Sequence, residues 1–287
     1  DRIKIRNIKQ EIWLKDMLAD KKVNIQYSSK YYSGSTNYYK YSIGQKAGLE
    51  KLNVKAKKEE LENQFNKWVV ADPDRKAKYG EALNMIKTAI EGRAENYNAL
   101  NYLNECMQGC ELFGLNRRVS ALVTALKSKD NQKISEAITE FKKTSSNFYK
   151  DYNTSTDNKS TKAMLRLYRT DITPKFQPDF YLNVVDKKFK GNIDKFVDDM
   201  FAKSIFVSEE KLNAFLEKPV LKTIENDPVY LTATSFFTTS GNVSKDLSQF
   251  DTGLAEGKRL WTAALMEMVP EKTLYPDANS TMRLSYG

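Results

Sequence analysis

The sequence predicts an all-α fold, and three observations carry that prediction. Apolar residues recur three and four apart along nearly the whole chain, as in Ile134, Ile138 and Phe141. Helix-start chemistry stands before several of these stretches, notably Asp72-Pro73-Asp74, Ser208 and Asn226-Asp227-Pro228. Period-two alternation, the mark of a strand, is confined to Asn279–Tyr286. The pattern predicts about ten helices, with no internal repeat.

In chain order, Ile5, Ile8, Ile12, Trp13, Leu14, Met17 and Leu18 make the first stretch an amphipathic helix, and residues 26–52 read as a second. Leu61, Phe65 and Trp68 mark the core face of a third helix, which stops before Asp72. Asp72-Pro73-Asp74 supplies a cap and a first-turn acid for a fourth, read as running from Asp74 to Phe113 with Gly114 at its C-terminal end. Gly80 and Gly92 weaken it as one unbroken rod. Arg117–Ser128 and Asn131–Tyr149 continue the helical pattern.

The polar run Asp151–Ser160 reads as a loop. It sets the expected boundary between a first helical subdomain, 1–150, and a second, 161–275. Within the second, Lys162–Arg169 is helical, and Pro174 and Pro178 break the next segment. Ile193–Phe201 forms a short helix, and Ser208 caps another with Leu212, Phe215 and Leu216 inward. Leu247, Phe250, Leu254, Trp261, Leu265 and Met268 trace one last long helix ended by Pro270. Residues 276–287 read as a linker and a closing strand whose partner lies in missing sequence. The chain opens at Asp1-Arg2-Ile3-Lys4 without a signal peptide and stops in mid-pattern, so it reads as an excised piece.

Composition removes several classes of function. With 287 residues, 40% of them hydrophobic, and a mean hydropathy of −0.61, the chain has the make-up of a soluble globular protein. No apolar run reaches the roughly 18 residues of a membrane span. The net charge of +9 comes from 46 basic and 37 acidic residues that interleave. Even Lys55-Ala56-Lys57-Lys58 is followed by Glu59, Glu60 and Glu62, so the basic stripe that nucleic acid requires is missing. There is no histidine, which excludes a Ser-His-Asp triad, a Cys-His pair and a His-containing zinc site.

Cys106 and Cys110 are one helical turn apart and read as two small buried residues, with a disulfide as the alternative in an oxidising compartment. No phosphate loop, dinucleotide fingerprint or calcium loop occurs, and neither cofactor nor metal is expected. The adjacent acids Asp198-Asp199 and Glu59-Glu60 point to different helix faces, and Asp227 reads as a helix cap. No residue is singled out as catalytic.

One stretch departs from this background. Ser35-Thr36-Asn37-Tyr38-Tyr39-Lys40-Tyr41-Ser42-Ile43-Gly44 is rich in tyrosine, and Gly44 and Gly48 stand one helical turn apart. Asn37 and Tyr41 share one side of a helix, with polar tips suited to a cleft. From residue types alone this is a Tyr-rich packing face bearing an exposed Asn.

The stretch takes on more meaning beside others. These are Gln10-Glu11-Ile12-Trp13 with Lys15–Asp20, Asn37-Tyr38-Tyr39-Lys40 leading to Ile43-Gly44, Ala202-Lys203-Ser204-Ile205-Phe206, Asn226-Asp227-Pro228, and Tyr275–Gly287. Together they resemble the helical domain of the bacterial dipeptidyl peptidases with a chymotrypsin-type serine-peptidase fold. In that family a large α-helical domain is inserted into a double β-barrel and caps the active-site cleft.

The resemblance covers essentially the whole chain. It implies a multi-helix cap domain that is not catalytic alone, with residues 276–287 returning to the barrel of the same polypeptide. It also implies a peptide substrate held by its free N-terminus. An Asn of the family's helical domain contacts that α-ammonium beside an acidic residue of the barrel, and by motif position this Asn is Asn37. Tyr41, where many relatives carry Asn, is a second candidate for lining the cleft. The family further implies a periplasmic or cell-surface location and a homodimeric parent. The rival reading is a stand-alone helical interaction module that binds a partner through the Tyr-rich face.

Overall fold

The computed structural model describes residues 5, 6, 8, 9, 11, 12 and 47–271, and all the elements named here lie among them. The described chain is all-α and contains no strand. It falls into two compact units, one made of 47–94 with 248–271, the other of 95–247 with the described residues of 5–12. This division is not the one expected at 151–160, and the closing stretch 276–287 lies outside the described residues.

The first unit holds α1 (Val54–Val70), α2 (Pro73–Tyr79), the start of α3 (Ala82–Gly109) and α12 (Asp251–Met268). Of the predicted face of α1, Phe65 is buried and Leu61 and Trp68 are half-buried; Val69, which the pattern did not single out, is buried with Phe65, Tyr79, Ala82 and Ala264. The Phe65 and Trp261 rings meet at 4.8 Å, a tilted pair that adds to the burial itself. Asp72 caps α2 as expected, its Oδ1 accepting the Asp74 and Arg75 amides at 2.9 Å each, with Pro73 in the first turn. Tyr79 donates to the Glu267 carboxylate, which Lys78 Nζ also reaches at 2.7 Å.

The long helix expected from Asp74 to Phe113 is three helices, divided at Gly80-Glu81 and at Cys110. Gly92 does not interrupt it. The Phe250 ring lies so close that a Cβ at Gly92 would sit 2.6 Å from Cε1, so glycine here serves packing. Gly114 is interior to α4 (Glu111–Ser128) and ends nothing. The last helix expected from Leu247 to Met268 is also divided, since α11 (Pro228–Ser248) closes before α12 begins at Asp251.

The second unit holds the rest of α3, then α4, α5 (Asn131–Tyr149), α6 (Thr154–Asp171), a 3-10 turn at Pro174–Phe176 and a π-helical turn at Tyr181–Asp186. Then come α7 (Lys187–Phe189), α8 (Ile193–Lys203), α9 (Glu209–Glu217), α10 (Leu221–Glu225) and α11. Its core gathers Leu103, Leu115, Leu122, Met164, Tyr168, Tyr181, Val197 and Phe236. The buried hydroxyls are satisfied: Tyr168 donates to the Phe176 carbonyl at 2.8 Å and Tyr181 to the Leu165 carbonyl at 2.7 Å.

The polar run read as a loop over Asp151–Ser160 is helical from Thr154 onward, capped by Asn153, whose Oδ1 accepts the Thr156 amide at 3.0 Å. The reason is burial of its polar face. Thr156, Asp157, Ser160 and Thr161 all point inward, and Asp157 and Ser160 serve backbone groups that a helix break exposes.

Candidate functional site

Asn37 and Tyr41 lie outside the described residues. The described residues that precede them are pinned to α3. Ile5 is buried in the core, and Arg6 Nε and Nη2 donate to Glu105 Oε2 and Oε1 at 2.8 and 2.9 Å. Glu105 is only 4% exposed, so a two-pronged partner is what makes its charge tolerable there. Lys9 Nζ adds a bond to the Gln108 carbonyl at 2.6 Å. The described residues of the first predicted helix are thus helical and anchored.

Just beyond Gln108 the chain breaks between α3 and α4. Cys110 takes an extended conformation, and the first amides of α4 would be orphaned. Asp157 of α6 supplies the missing acceptors: the Glu111 and Leu112 amides donate to its two oxygens at 2.7 and 3.1 Å, and Tyr152 donates at 3.2 Å. Ser160 Oγ donates to the Gly109 carbonyl at 2.7 Å. Neither Asp157 nor its role carries a local sequence signal, because the amides it serves are some 45 residues away.

Burial pushes the Asp157 carboxyl up from 3.8 to about 6, against the opposing pull of the two amides and Tyr152. The folded state therefore holds this proton more tightly than the unfolded chain does. Stability from this group rises as pH falls from about 6 to 3.8 and is constant above that window. Urea unfolding across the window should show the wild type gaining on Asp157→Asn as pH falls. A difference that stays flat with pH would refute this assignment.

A second buried carboxylate joins two of the stretches that carry the family resemblance. Asp227, 4% exposed, caps α11 through the Val229 and Tyr230 amides at 2.9 and 3.1 Å. It also accepts from Ser204 Oγ at 3.0 Å and from the Ile205 amide at 2.8 Å. Tyr149 donates to the neighbouring Phe206 carbonyl at 2.8 Å. The Ala202–Phe206 and Asn226–Pro228 motifs are therefore one joint, held by one carboxylate. Asp227 is a cap, as its position before Pro228 predicts.

The other candidates resolve simply. Cys106 and Cys110 are buried and unbonded to each other, and burial pushes both thiols up, so they are inert packing residues. Asp198 pairs with Lys162 and Asp199 with Lys203, which confirms that the adjacent acids diverge. Among the described residues no cluster of His, Cys, Asp or Glu is arranged to hold a metal. No described helix is long and apolar enough to cross a membrane.

Comparison with known proteins places this architecture. Residues 1–287 match the Peptidase S46 family. Dipeptidyl-peptidase 7 of Porphyromonas gingivalis is 35% identical over 298 residues, covering all of this chain and 39% of that protein. The Asp/Glu-specific dipeptidyl-peptidase of the same organism is 31% identical over 288 residues, again covering all of this chain and 39% of that protein. The crystal structure of Porphyromonas endodontalis DPP11 in complex with the dipeptide Arg-Glu matches with a TM-score of 0.78 at 28% identity, over 98% of this chain and 40% of that one.

Fold and comparisons define the class first: an all-helical portion similar to that of bacterial dipeptidyl peptidases. The chain belongs to the peptidase S46 family. It spans about two fifths of the length of these relatives, 39% of each curated one.

Proposed function

We propose that this chain is the helical cap of a serine-type dipeptidyl peptidase, closing over the cleft and holding the free N-terminus of a peptide substrate. The observation that carries this reading is the likeness, over nearly the whole chain, to DPP11 solved with the dipeptide Arg-Glu. The triad would lie in a chymotrypsin-type barrel of the same polypeptide, which accords with the absence of histidine here. Hydrolysis of the peptide bond is the parent's chemistry; the helices contribute position.

That contribution has a physical basis. Releasing dipeptides requires a fixed distance between the α-ammonium and the scissile carbonyl. An ammonium presents three donors, so the Asn37 amide oxygen and a carboxylate of the barrel make a suitable cage. Tyr41, one turn further along a helix, would line the same cleft. Closing the helices over the bound peptide would then set the scissile bond two residues along. The reading also puts the parent in the periplasm or at the cell surface, as a homodimer.

The full-length enzyme tests it. A fluorogenic dipeptidyl substrate with a free amine should be cleaved, and the same substrate N-acetylated should be turned over at least tenfold more slowly, the size of one charge-assisted hydrogen bond. Equal turnover of the two would overturn the cap's role in reading the N-terminus.

A further inference from the structure

Of the nine residues from Lys187 to Lys195, four are lysines, Lys187, Lys188, Lys190 and Lys195, and they cluster at one reversal of the chain. They lie where the π-helical turn Tyr181–Asp186 runs into α7 and the chain doubles back into α8. The reversal is built from two consecutive left-handed residues, Lys190 at φ 54° and Gly191 at φ 78°. The Gly191 amide closes on the Val185 carbonyl at 3.0 Å, and Asn192 Oδ1 accepts the Lys195 amide at 2.9 Å. Beneath it, Tyr181, Val185, Phe196 and Val197 are buried, and the Phe189 ring sits edge-on to Phe196 at 5.5 Å. The turn is therefore a fixed knob with its apolar side inward.

Its charges are uncompensated. The acid within the stretch and the one just before it are engaged elsewhere, Asp194 with Arg166 at 2.6 Å and Asp186 with Arg169 at 2.8 Å. Among the described residues none of the four lysines forms an ion pair, and Lys187 only donates to Asn183 Oδ1 at 3.1 Å. Leu182, on the π turn, is 60% exposed beside them. The nine residues carry four lysines against one acid, and where basic residues gather elsewhere, as over Lys159–Arg169, Lys162, Arg166 and Arg169 each pair with a carboxylate.

The residue types select the partner. Lysine is depleted at protein interfaces, where arginine and aromatics dominate. Single-stranded nucleic acid wants an aromatic platform, and the ring nearest these lysines, Phe189, is packed against the core. Four point charges with no fork geometry, next to one exposed leucine, suit a diffuse anionic layer with an apolar interior. We propose that the Lys187–Lys195 turn docks on an anionic lipid surface, the ammonium groups at the headgroups and Leu182 at their edge.

Each lysine near such a surface strengthens binding about fivefold, so four together contribute roughly several-hundred-fold. The full-length protein is sedimented with phosphatidylcholine vesicles, with and without phosphatidylglycerol, at low and raised salt. It should pellet only with the anionic vesicles, and salt should release it. The combined variant Lys187→Gln, Lys188→Gln, Lys190→Gln, Lys195→Gln should stay in the supernatant. A control that removes the same charge from α1, at Lys55, Lys57, Lys58 and Lys67, should still pellet. The proposal is overturned if the wild type fails to pellet, if the two variants behave alike, or if the knob variant binds as the wild type does. A wild type that binds poly-glutamate but no vesicle would overturn it too, and would make the partner an acidic protein.

Discussion

Replacing Asn37 by alanine in the full-length enzyme is expected to lower kcat/KM on free-amine dipeptidyl substrates by about 10- to 150-fold. The figure corresponds to losing one hydrogen bond to a charged group, roughly 1.5–3 kcal/mol. The N-acetylated substrate has no ammonium to lose, so its slow turnover should be unaffected and the gap between the two substrates should narrow. Asn37→Asp keeps an acceptor and should lose less than alanine. Tyr41→Phe, which removes only a hydroxyl from the cleft wall, should lose less still. An Asn37→Ala enzyme with unchanged kcat/KM on the free-amine substrate would remove Asn37 from the site.

The largest effect on stability is expected at Asp227. Alanine there leaves the Ile205, Val229 and Tyr230 amides and the Ser204 hydroxyl without their acceptor, inside a region where Ser204 is fully buried. Loss of a cap costs about 1 kcal/mol, and each buried donor left unpaired costs about 1–3 kcal/mol. Allowing for relaxation, the total should be about 3–5 kcal/mol, a large part of an ordinary domain's stability. Asp227→Asn retains one acceptor oxygen and should cost about half as much. Amide exchange localises the effect: Ile205, Val229 and Tyr230 should lose protection while the amides of α1 keep theirs. A loss below about 1 kcal/mol would show that water or another acceptor replaces the carboxylate.

Caps and single helix faces were legible in the sequence because they are local. Asp72, Ser208 and Asp227 each stand two or three residues before the helix amides they cap, and Phe65 and Trp68 lie on the core side of one helix. The features that could not be read are non-local. The run Asp151–Ser160 looks solvated by composition, yet its polar atoms face a break in another helix, so hydropathy gave the wrong sign. The divisions at Cys110 and Phe250 carry no proline, and helical periodicity continues across both.

The candidate site was less legible still. Asn37 alone is an ordinary residue type with no chemical signal of its own, and only the company of the other motifs gave it a role. The pairing of Arg6 with Glu105 spans 99 residues, which no window of sequence reveals.

The unit formed by 47–94 and 248–271 has a consequence for biogenesis. Its halves meet through bonds such as Tyr79 to Glu267, 188 residues apart. At about 5–20 residues per second, a ribosome takes roughly 10–40 s to deliver the second half after the first. Through that interval Phe65, Val69 and Trp68 lack the covering of Trp261 and Leu260 while the intervening chain emerges. The nascent protein thus carries an open apolar face during synthesis, and holding chaperones would act there until α12 arrives.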